Sequence, residues 1–241
     1  MTAKKLEYGR PALLVIVRHA ESQRNEAKKG QTYFADDAAR NRIKGIADHK
    51  IKLTDEGWKQ ARLTGKEIKK RFGTFDYVYT SGYVRTEETL DAILESYSKK
   101  EIESMQRRAN SFIRERDPGY TYDMTETEAK ISFPWLKDYW NTFGGFFSAP
   151  PGGESLAAVC ERVYLFLHSL KHDRDQKRIL VVTHGGTIRC FRALIERWDY
   201  DRATKWPEGH SPKNCGITVY ESNPKKNYGK YELKEYNTVA Y

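Results

Sequence analysis

Two short apolar runs, far apart in the chain, end in a histidine in the same manner, and they limit the fold more than any other feature. Residues 12–17 run into Arg18-His19, and residues 179–182 run into Thr183-His184. In each case a small residue and a polar helix start follow. A short apolar run of this kind reads as a buried parallel strand. A third, residues 75–80, ends in Ser81-Gly82-Tyr83-Val84-Arg85 ahead of a helical pattern through Leu90, Ile93 and Leu94. Strands that alternate with helices predict an α/β fold: an open, mostly parallel sheet with helices on both faces. In such sheets ligands sit at the carboxyl ends of the strands. The two histidines are therefore expected to face each other across one site.

The remaining pattern fills out that sheet. Thr54 is the expected N-cap of a helix whose buried face carries Trp58, Ala61, Gly65, Ile68 and Phe72, with Gly73 ending it. Gln60 on that helix is expected to be solvated. Leu156, Val159, Cys160, Val163, Phe166, Leu167 and Leu170 hold helical spacing for four turns. A helix is predicted over residues 187–198, another strand near the end of 101–113, and two late strands at 215–221 and 231–236 joined by a Lys-rich turn. Residues 27–50 lack clear periodicity and read as a surface insertion bordering the site. Residues 117–153 are crowded with aromatics and read as a lid. The chain, 1–241, is expected to be one domain carrying these two insertions.

Lys and Arg total 42 against 33 Asp and Glu, a formal charge of +9, which favours anionic partners. The charge is spread along the chain, and no nucleic-acid module is recognisable, so a nucleic-acid partner is not expected. No stretch approaches a membrane span, and the apolar run after Lys4, Lys5 and Arg10 is too short for a signal peptide. Cys160, Cys190 and Cys215 show no metal-like spacing, which suits a reducing, cytoplasmic setting. Pairing of the late strands, such as 215–221, across a homodimer is compatible with the pattern.

The strand ends collect Arg18, His19, Arg85 and His184, with Glu115 and Asp117 on a nearby loop as candidate proton donors. Two guanidinium groups and helix-start N–H groups, such as that of Gly185, suit a doubly charged oxyanion. For Arg85 a surface ion pair with Glu87 or Glu88 is the plainer alternative. No carboxylate or thiolate cluster accompanies the histidines, so no metal or other cofactor is expected. Histidine can act as a covalent nucleophile, cations can offset charge on a phosphoryl group, and a carboxylic acid can protonate a leaving alcohol.

The chain resembles the histidine phosphatase superfamily, also called phosphoglycerate mutase-like. V-R-H-A-E-S-Q-R-N at 17–25 is similar to its R-H-G-E-S/T-x-x-N signature, and L-T-D-E-G-W-K-Q-A at 53–61 to its L-T-x-x-G-x-x-Q-A helix. T-S-G-Y-V-R-T-E-E-T at 80–89, I-R-E-R-D-P-G at 113–119, P-G-G-E-S at 151–155, V-T-H-G-G-T-I-R at 182–189 and N-C-G-I-T-V-Y at 214–220 follow in the family's order. The resemblance implies a phosphohistidine on His19, with Arg18, Arg85 and His184 gripping the phosphoryl group. It also implies Glu115 as acid and then base, and added phosphate contacts from Asn25 and Ser22. Ala20, Gly82 and Glu88 depart from the pattern. Pro118 stands three residues after Glu115 where the true mutases carry Tyr, and no R-R-S-F-D-like segment occurs. A phosphatase acting on a phosphorylated small molecule or phosphoprotein is therefore expected over a mutase or a catalytically weak binding module. The basic balance and the aromatic lid point to a substrate larger or more anionic than a triose phosphate.

Overall fold

A computed structural model describes residues 9–205, 210–223, 225 and 230–241, apart from the side chains of residues 172 and 173. Six strands form one sheet: β1 (Leu13–Arg18), β2 (Tyr77–Thr80), β3 (Gln106–Ala109), β4 (Arg178–Thr183), β5 (Ile217–Ser222) and β6 (Tyr231–Thr238). Their order across the sheet is β3-β2-β4-β1-β5-β6. The first four run parallel, and β5 and β6 are antiparallel, so the sheet is mostly parallel as expected.

The helices are α1 (Gln23–Lys28), α2 (Asp37–Asn41), α3 (Asp55–Phe72), α4 (Val84–Leu94), α5 (Lys99–Ser104), α6 (Glu126–Ser132), α7 (Leu136–Phe143), α8 (Leu156–Asp173), α9 (Gly185–Glu196) and α10 (Tyr200–Thr204). Side chains alternate across a strand, and the core divides accordingly. Leu14 and Ile16 of β1, with Ile179 and Val181 of β4, pack against α8 and α9. Leu13, Val15 and Val17, with Leu180 and Val182, pack against Ile68 of α3 and Leu90 and Ile93 of α4. Both faces of the sheet are thus covered, which is why these strands read as unbroken apolar runs. The α3–α4 contact is close enough that a Cβ on Gly65 would lie 2.5 Å from the Ile93 carbonyl oxygen.

Several expectations need correction. Gln60 is buried, not solvated, and its Oε1 accepts the Glu21 backbone N–H at 3.1 Å. The helix expected over 187–198 begins two residues earlier, with His184 as its N-cap residue. Residues 27–50 hold α2 and a 3-10 turn (Asp48–Lys50), and Phe34, Ile43 and Ile51 are buried beneath them. Strand β5 is paired on both sides within the chain, so residues 215–221 have no free edge for a dimer; the outer strand is β6. Part of the turn between β5 and β6 lies outside the described residues. The aromatic segment folds as α6 and α7 and leaves Tyr120, Trp135 and Phe143 exposed. Among the described residues no helix is long and apolar enough to cross a membrane.

Candidate active site

Register brings the two histidines together. Strands β1 and β4 pair with Arg18 opposite Thr183, and the His19 N–H continues the ladder to the Thr183 carbonyl at 2.8 Å. His19 and His184 therefore leave adjacent strands at the same level, with ring centroids 5.2 Å apart and planes at 62°. Ala20 is fully buried and donates its N–H to Thr89 Oγ1 of α4 at 3.0 Å, so the residue after His19 has to be small.

The hydrogen bonds fix which nitrogen of His19 is free. Its Nδ1 lies 2.7 Å from the Ala20 carbonyl, which can only accept, so Nδ1 carries the hydrogen and Nε2 keeps its lone pair. Burial, then the charges of Arg85 and Arg18, hold the imidazole pKa well below its usual value. The ring is neutral at neutral pH. His184 is lowered for the same reasons, burial first. Its Nε2 meets Ser81 Oγ at 2.8 Å, Ser81 Oγ meets Thr86 Oγ1 at 3.0 Å, and Thr86 Oγ1 reaches the Tyr83 carbonyl at 2.8 Å. With Thr86 donating to that carbonyl, Ser81 donates to Thr86 and His184 Nε2–H to Ser81. Only if Thr86 gives up the carbonyl and donates to Ser81 can Ser81 donate to His184 and the imidazole hydrogen move to Nδ1. That Nδ1 is buried, has no hydrogen-bond partner, and lies 3.7 Å from Glu115 Oε2.

Glu115 opens onto the cleft, with its side chain 27 % exposed, yet protein encloses it on the other sides. Burial raises its pKa, against the pull of Arg85 and of the Arg116 N–H that bonds Oε1 at 2.9 Å. The loop carrying it is bolted down by Arg162 of α8, which donates to the carbonyls of Phe112 (2.8 Å), Arg114 (2.9 Å) and Glu115 (3.1 Å) and pairs with Glu154. Thr183 and Thr187 add bonds to the Ile113 and Arg114 carbonyls, each at 2.7 Å. Asp117 is exposed and accepts the Gly119 N–H at 2.8 Å, so it shapes the turn and does not face the histidines.

The cations come from three elements. Arg18 donates to the Pro212 carbonyl at 2.5 Å, and a Cβ on Gly185 would sit 3.7 Å from its Nε. Arg85 is 3 % exposed and pairs with Asp48 of the 27–50 insertion, not with Glu87 or Glu88, through contacts at 3.1 and 3.3 Å. Glu88 turns to the Leu53 N–H instead. Asn25 Oδ1 receives Ser22 N, Ser22 Oγ and Asn214 Nδ2, which leaves its own Nδ2 for the cleft. The Ser22 hydroxyl caps α1 through Asn25, so it is not the free phosphate donor expected.

These groups line a cleft of about 200 Å³. A larger groove of about 610 Å³ beside α3 is lined by Arg62, three lysines, Glu95 and Ser96, and neither histidine reaches it. Donor atoms of His19, Glu115 and His184 lie within 4.8 Å of one another, a spacing a metal ion could use. The charges of Arg18 and Arg85, which bear on both histidines, oppose a divalent cation there and favour an anion. Ser81, Thr86, Asp48, Asn214, Arg162 and Glu154 were not singled out from the sequence. Ser81, Thr86, Glu154 and Asn214 lie within the recognised blocks; Asp48 carried no signal that separates it from ordinary surface polar residues.

Residues 14–232 match the model of the histidine phosphatase superfamily (branch 1). The chain belongs to this superfamily. It is 31% identical over 229 residues to phosphoglycerate mutase-like protein AT74 of Arabidopsis thaliana, a match covering 88% of this chain and 65% of that protein. It thus spans just under two thirds of that relative. It is 33% identical over 187 residues to the 2,3-bisphosphoglycerate-dependent phosphoglycerate mutase of Rhizobium etli, covering 76% and 80%. The mycobacterial glucosyl-3-phosphoglycerate phosphatase complexed with VO3 shares the fold, with a TM-score of 0.70, 19% identity and coverage of 95% and 100%. Relatives by sequence are thus named as mutases, and a neighbour by fold as a phosphatase.

Proposed function

We propose that the protein is a metal-independent phosphomonoesterase that works through a phosphohistidine on His19. The observation that carries this reading is the pairing of a neutral His19 whose Nε2 is free with a carboxyl group, Glu115, whose pKa is raised. Nε2 attacks phosphorus, the bond from phosphorus to the alcohol oxygen breaks, and the Glu115 carboxylic acid gives its proton to that oxygen. Water then attacks the phosphohistidine, the Glu115 carboxylate takes a proton from it, and phosphate leaves with His19 restored. Arg18, Arg85, Asn25 Nδ2, the Gly185 N–H and His184 offset charge on the phosphoryl oxygens. The two guanidinium groups provide the positive charge that a metal supplies in other phosphatases. A single sheet holding all six strands supports reading the chain as one domain. The free thiols of the buried cysteines suit a cytoplasmic setting.

A mutase is the second reading, favoured by the names of the relatives in sequence. It would need a phosphorylated primer and would return the phosphoryl group to a hydroxyl rather than to water. Pro118 at the position of the mutase tyrosine favours the phosphatase. Phosphate release from a panel of phosphomonoesters in EDTA tests both. Metal-free turnover that vanishes in His19→Ala, by roughly 10⁴-fold or more, is the expected result. Turnover lost to EDTA overturns the metal-free mechanism, and turnover retained by His19→Ala overturns the nucleophile.

A further inference from the structure

The cleft holds more positive charge than one phosphoryl group needs. Arg18, Arg24, Lys28, Arg85 and Arg116 line it, against the carboxylates of Asp48 and Glu115. Of the five cations only Arg85 makes an ion pair among the described residues. Arg18 and Arg85 act on the histidines. Arg24 bears on Lys28, and Asp48 on both.

Arg24 and Lys28 are four residues apart on α1, a spacing at which like charges repel. They are nonetheless held together over aromatic rings. Arg24 Cζ lies 3.7 Å from the Tyr122 ring centroid and 5.5 Å from that of Phe34, and Lys28 Nζ lies 4.9 Å from the Phe34 centroid. Their bonds go to carbonyls only: Arg24 Nη2 to Tyr122 at 2.7 Å and Lys28 to Thr32 at 2.5 Å. Arg24 Nη1 is buried with no hydrogen-bond partner. Burial, followed by the charge of Arg24, lowers Lys28 to about 7. Asp48 and Asp123 act on both charges but form an ion pair with neither, so two partly desolvated like charges on one helix face destabilise the empty site and are relieved by an anion.

We propose that Arg24 and Lys28 form a second anion subsite, so that the substrate is a small phosphomonoester carrying another anionic group, a carboxylate or a phosphate. This rests on the phosphatase reading for its turnover arm and stands apart from it in its binding arm.

The test compares glycerol phosphate, 3-phosphoglycerate and 2,3-bisphosphoglycerate, which keep an alkyl leaving group and differ in the second anion. For the full chain, kcat/KM is expected to favour the two-anion compounds. The ratio to glycerol phosphate should fall about tenfold in Arg24→Gln and in Lys28→Gln. The better of the two compounds identifies the second group. A ratio unchanged by both variants, or no preference in the natural chain, overturns the subsite while leaving the phosphatase intact. So does turnover confined to acidic phosphopeptides. If no ester is turned over, the phosphatase reading fails, and calorimetry decides the subsite alone. Two-anion ligands binding about tenfold tighter than inorganic phosphate, with that margin lost in Arg24→Gln, support it; equal binding overturns it.

Discussion

His19 and His184 stand on adjacent strands whose backbone ladder sets their separation, whereas Arg24, Lys28 and Asp48 stand on a short helix and a turn outside the sheet. The first pair is positioned by main-chain bonds that no single side chain can abolish. The second group depends on ring contacts, a few bonds to carbonyls and the ion pair of Asp48 with Arg85. The floor of the cleft is thus suited to invariant chemistry, and its rim to selecting which phosphorylated molecule reaches that chemistry.

Substitutions should separate floor from rim by size of effect. Glu115→Gln removes the acid and is expected to lower kcat by about 10²–10⁴ on alkyl esters. The loss should be far smaller on an aryl phosphate, whose leaving group needs no proton. Equal losses on both would assign Glu115 to the fold of its loop rather than to proton transfer. Because its pKa is raised, alkyl-ester turnover should fall as pH climbs through that value. Ser81→Ala deletes the middle of the hydroxyl chain behind His184. About a tenfold loss in kcat with KM little changed is expected, together with a shift of the acidic limb of the pH profile. Ser81→Thr should restore the limb, and a limb that never moves would leave Ser81 a packing residue only.

At the rim the expected effects are smaller and depend on pH. Lys28 faces Arg24 on its own helix, with Asp48 and Asp123 opposite, and is lowered to about 7. It is charged below that pH and neutral above it, and a second anion favours the charged form. Affinity for a two-anion ligand should weaken as pH rises above about 7, by at most roughly tenfold per unit. Lys28→Arg stays charged throughout and should flatten that dependence. Identical slopes for the natural chain and Lys28→Arg would remove Lys28 from ligand binding.

Much of the floor was legible in the sequence because strand ends announce themselves. Arg18, His19 and His184 each follow an apolar run, and the matching ends of the two runs foretold their meeting. Arg85 was legible as a cation at a helix start, but its partner was not. Asp48 sits in a polar stretch without period, and only the folded insertion carries it to α4. Gln60 misled because a polar residue on a helix usually faces water, while here it satisfies the Glu21 N–H. Asn25 and Ser22 were marked by the signature together, yet their mutual bonds divide the work: one caps the helix and the other keeps an amide for the cleft.

Arg162 ties the behaviour of the loop that carries Glu115 to that of a core helix. From α8, whose apolar face is buried against the sheet, it anchors the carbonyls of Phe112, Arg114 and Glu115 itself. The loop cannot swing free unless that helix lifts away. The Arg116 amide should therefore resist hydrogen exchange nearly as long as the central strands do. A chain built this way gives up the position of Glu115 only with its fold, so on the proposed mechanism activity on heating should end in a single step with global unfolding.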